Sequence, residues 1–454
     1  MLVLLFYCLS CWYLVTKIRG GSPSDGWLGT SDVGDALIGS SFRMSLPEFV
    51  PATQSELARW MAENSAGPKQ KLLAVGGRTA LHFGFPAACD YQIDLCELTR
   101  VIDYPARDMT ITVEAGMRID ELQRWLATER QQLPIDIAQP GRATIGGAIA
   151  CNTSGPRRFG SGTLRDYLIG CSAIDAQGQL FKSGGRVVKN VAGYDLCKLL
   201  IGSRGTLAVI TQVTLKLKPV PEAQGWWWLT FDTFSEMENV LERLLTSNAR
   251  PAALEMLDVP AAKLVVTESR LPLPTDSAAL AILVEGTARE VAWQLETLRK
   301  EVVPFGVQQI EQLLDQEART LTAALTEFQV PTDEPLTFQA NLRPSRCWEF
   351  AELANRLDVA VLCHAGNGVI IGQLPEAAAS RTQALALLQP LQHFAQTQAG
   401  NLQILHCDPE WQADLPMCGE PEPAWPHMQQ LKRQLDPHGL LSPGRFIDRM
   451  PMSV

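Results

Sequence analysis

The stretch Pro140-Gly141-Arg142-Ala143-Thr144-Ile145-Gly146-Gly147-Ala148-Ile149-Ala150-Cys151-Asn152-Thr153-Ser154-Gly155 decides how this chain is read. It mixes small residues and permissive glycines with side-chain amides and hydroxyls. Such a backbone can run against a flat, extended molecule with few side chains intervening. Two further glycine segments flank it. Upstream, Leu72 to Val75 reads as a short buried strand that passes straight into Gly76-Gly77-Arg78-Thr79. A turn there can aim successive amides at one anion, although a plain tight turn has the same composition. Downstream, Gly202-Ser203-Arg204-Gly205-Thr206-Leu207-Ala208-Val209-Ile210-Thr211 runs from a glycine turn into a strand. Neither G-x-G-x-x-G nor G-x-x-x-x-G-K-[ST] occurs, so the dinucleotide and P-loop fingerprints are missing.

Around these segments the chain is well patterned. Thr53 followed by Glu56 forms a capping box, and Leu57, Trp60 and Met61 make one helix face. Ile93 with Leu95, and Ile111 with Val113, alternate as strands; Ile119, Leu122, Trp125 and Leu126 mark a second helix. Strand, glycine loop, strands and helix together make an α+β nucleotide-binding layout. Lys216-Leu217-Lys218-Pro219-Val220-Pro221 closes it with two prolines. Trp226-Trp227-Trp228 opens a new strand, and because neighbours on a strand face opposite sides, one or two core tryptophans are expected. Beyond it, helices are expected around Met237 to Leu245, Val291 to Leu298 and Ile310 to Leu325, with strands at Leu280 to Val284 and Val359 to Leu362. The expected organisation is a leader and linker over 1–43, a cofactor-binding domain over 44–221, an α+β cap over 222–430 and a C-terminal segment over 431–454.

Composition limits the function. The chain has 454 residues, 46% apolar, with 49 acidic against 39 basic residues and a net charge of −10. That balance argues against a dedicated nucleic-acid binder, whose affinity rests on a basic face. The 11 cysteines are scattered, and the single CxxC pair, Cys8 and Cys11, has no second pair to complete a zinc or iron–sulfur site. Reduced, mostly buried thiols of a cytoplasmic protein are the expectation. Met1 to Val15 is apolar apart from Ser10. As a helix it would span about 22 Å, short of a hydrocarbon core of about 30 Å. Three readings of it stay open: a wrongly assigned start with Met44 as the true one, a membrane-associating tail, and a cleaved signal. Residues 1–43 are expected to be dispensable for folding.

Two motifs add specificity: Asn152-Thr153-Ser154-Gly155-Pro156-Arg157-Arg158, and Gly184-Gly185-Arg186-Val187-Val188-Lys189-Asn190-Val191-Ala192-Gly193-Tyr194-Asp195. With the three glycine segments in this order, Val50 to Pro221 resembles the FAD-binding domain of the vanillyl-alcohol oxidase/p-cresol methylhydroxylase group. The resemblance is closest to the FAD-binding subunits of bacterial glycolate oxidases. It returns weakly at Leu435-Asp436-Pro437-His438-Gly439-Leu440-Leu441-Ser442-Pro443-Gly444-Arg445-Phe446. It implies an α+β fold: a two-subdomain FAD-binding domain, an α+β cap, and a C-terminal segment that returns to the FAD domain. It also implies roles. Gly76, Gly77, Arg78, Thr79 and Ala80 would hold the FAD pyrophosphate. Pro140, Gly141, Thr144, Gly146, Gly147 and Ala148 would line the cofactor's second side. Asn152, Thr153, Ser154 and Gly155 would approach the isoalloxazine and ribityl chain, and Gly205, Thr206, Val209 and Ile210 the adenine or flavin-side backbone. Some relatives attach FAD through a histidine in the first loop; the corresponding position here is Arg78, with His82 a few residues on.

In the cap, His364-Ala365-Gly366-Asn367-Gly368-Val369 is the best catalytic candidate. Related flavin 2-hydroxyacid dehydrogenases carry His-x-Gly-Asp-Gly-Asn-x-His there. Asn367 replaces the acid and Ile371 the second histidine, which removes two metal ligands and puts independent substrate oxidation in doubt; no metal is expected. A structural histidine is the competing reading of His364. His406-Cys407-Asp408 is a second polar cluster, and Arg343 is a candidate partner for a substrate carboxylate, against a plain surface arginine. The resemblance implies an FAD-binding subunit of a 2-hydroxyacid dehydrogenase complex acting on a small acid such as glycolate. Its partners would be an iron–sulfur subunit and a second flavin dehydrogenase, and the complex would sit at the periphery of the inner membrane. A non-catalytic FAD-containing assembly subunit and a self-sufficient FAD-dependent oxidase are the alternatives. With arginine at the attachment position, FAD is expected to be held non-covalently: acid precipitation should leave the yellow colour in the supernatant, and colour in the pellet would contradict this.

Overall fold

The computed structural model describes residues 46–185, 195–412 and 415–446. The leader with Met44, and the motif residues Arg186 to Tyr194, lie outside the described residues. Two sheets carry the N-terminal part. A three-stranded parallel sheet runs in the order Glu48–Phe49, Tyr91–Asp94, Leu72–Val75. A five-stranded antiparallel sheet runs Val101–Asp103, Thr110–Glu114, Val209–Lys216, Leu168–Ile174, Leu180–Gly184. The helix Gln54–Ala66 lays Leu57 and Met61 on the first sheet. Its cap differs from the reciprocal box: the Glu56 amide donates to Thr53 Oγ1, but the Glu56 carboxylate accepts from Ala52 rather than from Thr53. On the second sheet the helix Ile119–Ala127 buries Ile119, Leu122 and Leu126, while Trp125 stays 47% exposed. Its face is narrower than the periodicity suggests.

Gln131–Gln132 and Lys218–Pro219 pair as a short antiparallel ribbon, and the other strands form one eight-stranded antiparallel sheet, in the order Gln309–Leu314, Ala223–Phe231, Ala278–Gly286, Ala253–Leu257, Ala360–His364, Val369–Gln373, Leu336–Asn341, Asn401–Cys407. The stretch from Ile310 to Leu325, expected as one helix, is divided: Gln309–Leu314 is an edge strand and Asp315–Glu327 the helix. All three adjacent tryptophans are buried, not one or two. Alternation explains it, because both faces of this sheet are covered. Trp227 joins the helices Phe234–Leu244 and Ala288–Val302 on one face. Trp226 and Trp228 point to the other, where the helices Val259–Ser269 and Asp315–Glu327 pack together with Phe83 from the N-terminal part. Trp226 donates to Thr322 Oγ1 and Trp228 to the Pro274 carbonyl.

The C-terminal segment runs back onto the parallel sheet. Leu441 bridges Leu72, the Leu72 amide donates to the Leu440 carbonyl, and Ser442 donates to the Leu72 carbonyl. Buried Lys432 fastens it by donating to the carbonyls of Thr206 and Leu441 and to Asp436.

Within the large sheet His364 and Glu255 are directly opposed cross-strand residues, with His364 Nδ1 2.8 Å from a Glu255 oxygen. Both are buried. Burial pushes the Glu255 carboxyl up, against the pull of His364. Removing one member of such a pair strands the other in a low-dielectric interior. Glu255→Ala should lower stability by about 3–5 kcal/mol, measured as a shifted urea midpoint; an unchanged midpoint would remove the pair from the structural scaffold.

Candidate cofactor cleft and adjoining cavity

Backbone contact between the first two glycine segments shapes the site. A Cβ on Gly77 would lie 1.8 Å from the Arg142 carbonyl oxygen, and one on Gly76 2.2 Å from Thr144 Oγ1. A Cβ on Gly146 would meet Ala115 at 2.7 Å. These glycines let the strand-end loop, the helix Ile145–Cys151 and the strand Thr110–Glu114 close on one another. Gly147 differs, because its Cβ would meet only the Thr144 hydroxyl of its own helix cap, and it faces open space.

The resulting cleft has a cavity volume of about 90 Å³. Gly76, Gly77, Arg78, Thr79, Ala80, Thr144, Gly146, Gly147, Gly205, Val209 and Ile210 line it. Thr79, Ala80 and Gly147 are shared with a second, smaller cavity of about 30 Å³, which Ala148 and Thr153 also line. Six of the residues picked from sequence lie elsewhere. Pro140 and Gly141 form an exposed turn, and a Cβ on Gly141 would touch nothing. Asn152 ends the helix in a left-handed conformation, φ 56°, and is exposed. Ser154 accepts from Arg158 Nη1. Gly155 is buried against Asp136. Thr206 turns its hydroxyl to the Ser203 carbonyl.

Neither catalytic candidate lines the cleft. His364 is committed to Glu255 inside the sheet. Arg343 is exposed, at the start of the short turn Pro344–Arg346. Arg78, at the attachment position, is held by Glu48 and Asp94. Among the described residues no group of three potential metal ligands occurs, and no helix is long and apolar enough to cross a membrane.

Sequence reading missed two arginines. Arg204 lies in the third glycine segment and Arg445 in the C-terminal segment, and both line the cleft. Arg445 is buried and donates through Nη2 to the carbonyls of Ala80 and Leu81. Arg204 donates to Gln403 and sits 4.6 Å from the Phe446 ring centre. Neither has an ion-pair partner among the described residues. Burial and the charge of Arg204 both depress the Arg445 guanidinium's proton affinity. Both arginines stood inside segments read for their glycines alone. The second cavity adds His82, Phe83, Ile137, Gln139 and Gln329.

These features fit FAD: a glycine-shaped cleft, and two arginines on it without a carboxylate partner among the described residues. Bound there, FAD would accept two electrons and a hydrogen from a substrate. The protein's own part is to hold the cofactor by the glycine backbone and the arginines, and to exclude water with the cap.

Comparison with known proteins agrees. Residues 48–184 match the FAD binding domain family, and residues 220–341 the C-terminal domain of FAD linked oxidases. The chain is 28% identical over 292 residues to glycolate oxidase subunit GlcD of Bacillus subtilis, covering 60% of each chain. It is 39% identical over 124 residues to glycolate oxidase subunit GlcE of Escherichia coli, covering 27% of this chain and 35% of that one. To D-2-hydroxyglutarate dehydrogenase of Xanthomonas citri pv. viticola it is 31% identical over 198 residues, covering 43% and 41%. The chain thus spans between about a third and three-fifths of these relatives' lengths. The fold is similar to that of p-cresol methylhydroxylase with substrate bound, at a TM-score of 0.66 and 14% identity, over 88% of both chains.

Gly147→Trp should abolish flavin retention, because an indole there would enter the cleft that Gly147 lines; a folded variant with normal flavin content would move the site elsewhere. The chain joins a region that matches the FAD binding domain family to one that matches the C-terminal domain of FAD linked oxidases.

Proposed function

We propose that this chain is the flavin-bearing subunit of a complex that oxidises a small 2-hydroxy acid and passes the electrons to a partner. The observation that carries the proposal is the glycine-shaped cleft that Arg204 and Arg445 line without a carboxylate partner, with a second cavity against its Thr79, Ala80 and Gly147 wall. The relatives are named for glycolate and D-2-hydroxyglutarate, both 2-hydroxy acids, and two of them are named as subunits. The glycine segments and the two arginines are assigned to FAD.

Reduced flavin must discharge its electrons. We assign the outlet to another subunit, an iron–sulfur protein working with a second flavin dehydrogenase; that two relatives are named as subunits supports it. The engagement of His364 by Glu255 favours a second reading, in which the partner does the substrate chemistry and this chain assists assembly. Anaerobic mixing of the purified chain with glycolate, D-lactate or D-2-hydroxyglutarate separates the two. Bleaching of the flavin band by one of them supports substrate oxidation by this chain. A band unmoved by all three supports the assembly role. Steady-state turnover should be slow for the isolated chain and rise on co-expression with partner subunits; fast oxidation by the single chain would instead mark a self-sufficient oxidase.

A further inference from the structure

The motif Ser154-Gly155-Pro156-Arg157-Arg158 lines neither the cleft nor the second cavity. It lies on the seam between the N-terminal part and the cap, and Arg157 spans that seam. On the near side Asp136 accepts twice, from Arg157 Nη1 and from the Arg157 backbone amide, both at 2.8 Å. On the cap side Nε donates to Glu285 Oε1 at 2.7 Å and Nη2 to Gln224 Oε1 at 3.3 Å. Gln224 and Glu285 are directly opposed on neighbouring strands of the cap sheet, so one guanidinium meets both. The side chains of Arg157, Asp136 and Glu285 are 16%, 7% and 13% exposed. A lysine ammonium is a compact point charge and lacks the planar fork that reaches three partners in fixed directions.

Uncharged contacts gather around this one. A Cβ on Gly155 would lie 2.8 Å from Asp136 Cβ and 3.4 Å from Thr326 Oγ1 of the cap helix Asp315–Glu327. The Gln139 amide donates to Glu327 Oε1 at 2.8 Å, and the Gly160 amide to the Ala252 carbonyl at 2.9 Å. Asp136 immediately precedes Ile137, Ala138 and Gln139, and the helix that holds Thr326 and Glu327 leads to Gln329, Val330 and Pro331. Both runs wall the second cavity. Its volume of about 30 Å³ leaves room for roughly one or two waters, so the cap is held nearly shut against Gly147 and Thr153.

Resting on the assignment of the cleft to FAD, we propose that Arg157 is a positioning residue: by sharing its guanidinium between Asp136 and Glu285 it sets the distance of the cap from the Gly147 side of the cofactor, and so keeps solutes off the flavin ring there. An ion pair taken out of water adds little net stability, because desolvation offsets the attraction. Its effect here is on geometry, as the fork fixes both the direction and the separation of the two parts.

The test uses holoprotein of wild type, Arg157→Lys, Glu285→Gln and the double variant. Flavin access is read from the anaerobic rate of reduction by dithionite. Seam opening is read from hydrogen exchange at the Gln139 and Gly160 amides, which needs no cofactor. Each single variant should keep its flavin, exchange those two amides faster, and be reduced at least about threefold faster, since a looser cap excludes solvent less well. The double variant should be reduced no faster than the quicker single one, because both changes break one contact. Unchanged reduction rates in both single variants, with a lowered urea midpoint, would overturn the proposal and leave Arg157 a purely structural residue. Additive effects in the double variant would overturn it by separating Arg157 from Glu285. Flavin lost from both single variants, with folded apoprotein, would overturn it in favour of cofactor retention. Faster exchange at the seam with unchanged reduction would show that the cap moves without uncovering the flavin, which also overturns it. Failure of the FAD placement itself shows separately, as a Gly147→Trp variant that keeps its flavin.

Discussion

The site depends on the contact of Gly77 with the carbonyl of Arg142. Any side chain at that position would push two backbone segments apart, because the obstacle is a carbonyl oxygen at 1.8 Å from the would-be Cβ and not a flexible side-chain tip. Gly146 meets the Ala115 carbonyl in the same way, at 2.8 Å, and Gly76 meets the side chain of Thr144. The strand Leu72–Val75, the helix Ile145–Cys151 and the strand Thr110–Glu114 are thereby held around one cleft, and the other walls are built on that frame.

A cleft lined by backbone has little charge of its own. Arg204 and Arg445 supply it, from segments far from the loop they border. Taking a guanidinium out of water costs several kcal/mol unless something anionic answers it. Here carbonyls of Ala80 and Leu81, the Gln403 amide and the Phe446 ring give partial compensation. The empty balance of charge suits a diphosphate, which brings two negative charges in one rigid unit. The same two arginines tie the glycine loop to the cap and to the C-terminal segment.

The glycine segments were legible because a close backbone approach can be met by few residue types, and those types stand out in a sequence. The same reasoning over-reached at Pro140, Gly141 and Gly155, where glycine and proline serve a surface turn or a packing contact. Composition does not tell a glycine that faces a ligand from one that faces a carbonyl. Arg204, Arg445 and the contact between His82 and His406 were not legible, since each depends on chain segments brought together only by the fold. The helix expected across Ile310 to Leu325 failed for a related reason: Gln309–Leu314 is an edge strand and has only one neighbour to declare its pattern. His364 drew attention as a motif, and its tie to Glu255 is visible only once the register of the two strands is known.

The return of Leu440 to Phe446 onto Leu72 and the glycine loop has a consequence for the timing of biosynthesis. Residues 46–185 can be made, and much of their sheet structure formed, well before Arg445 leaves the ribosome. Until then the loop at Ala80 and Leu81 lacks the guanidinium that holds its carbonyls, and the parallel sheet lacks its bridge from Leu441. The cleft is therefore complete only after translation has passed Arg445, its last wall in chain order.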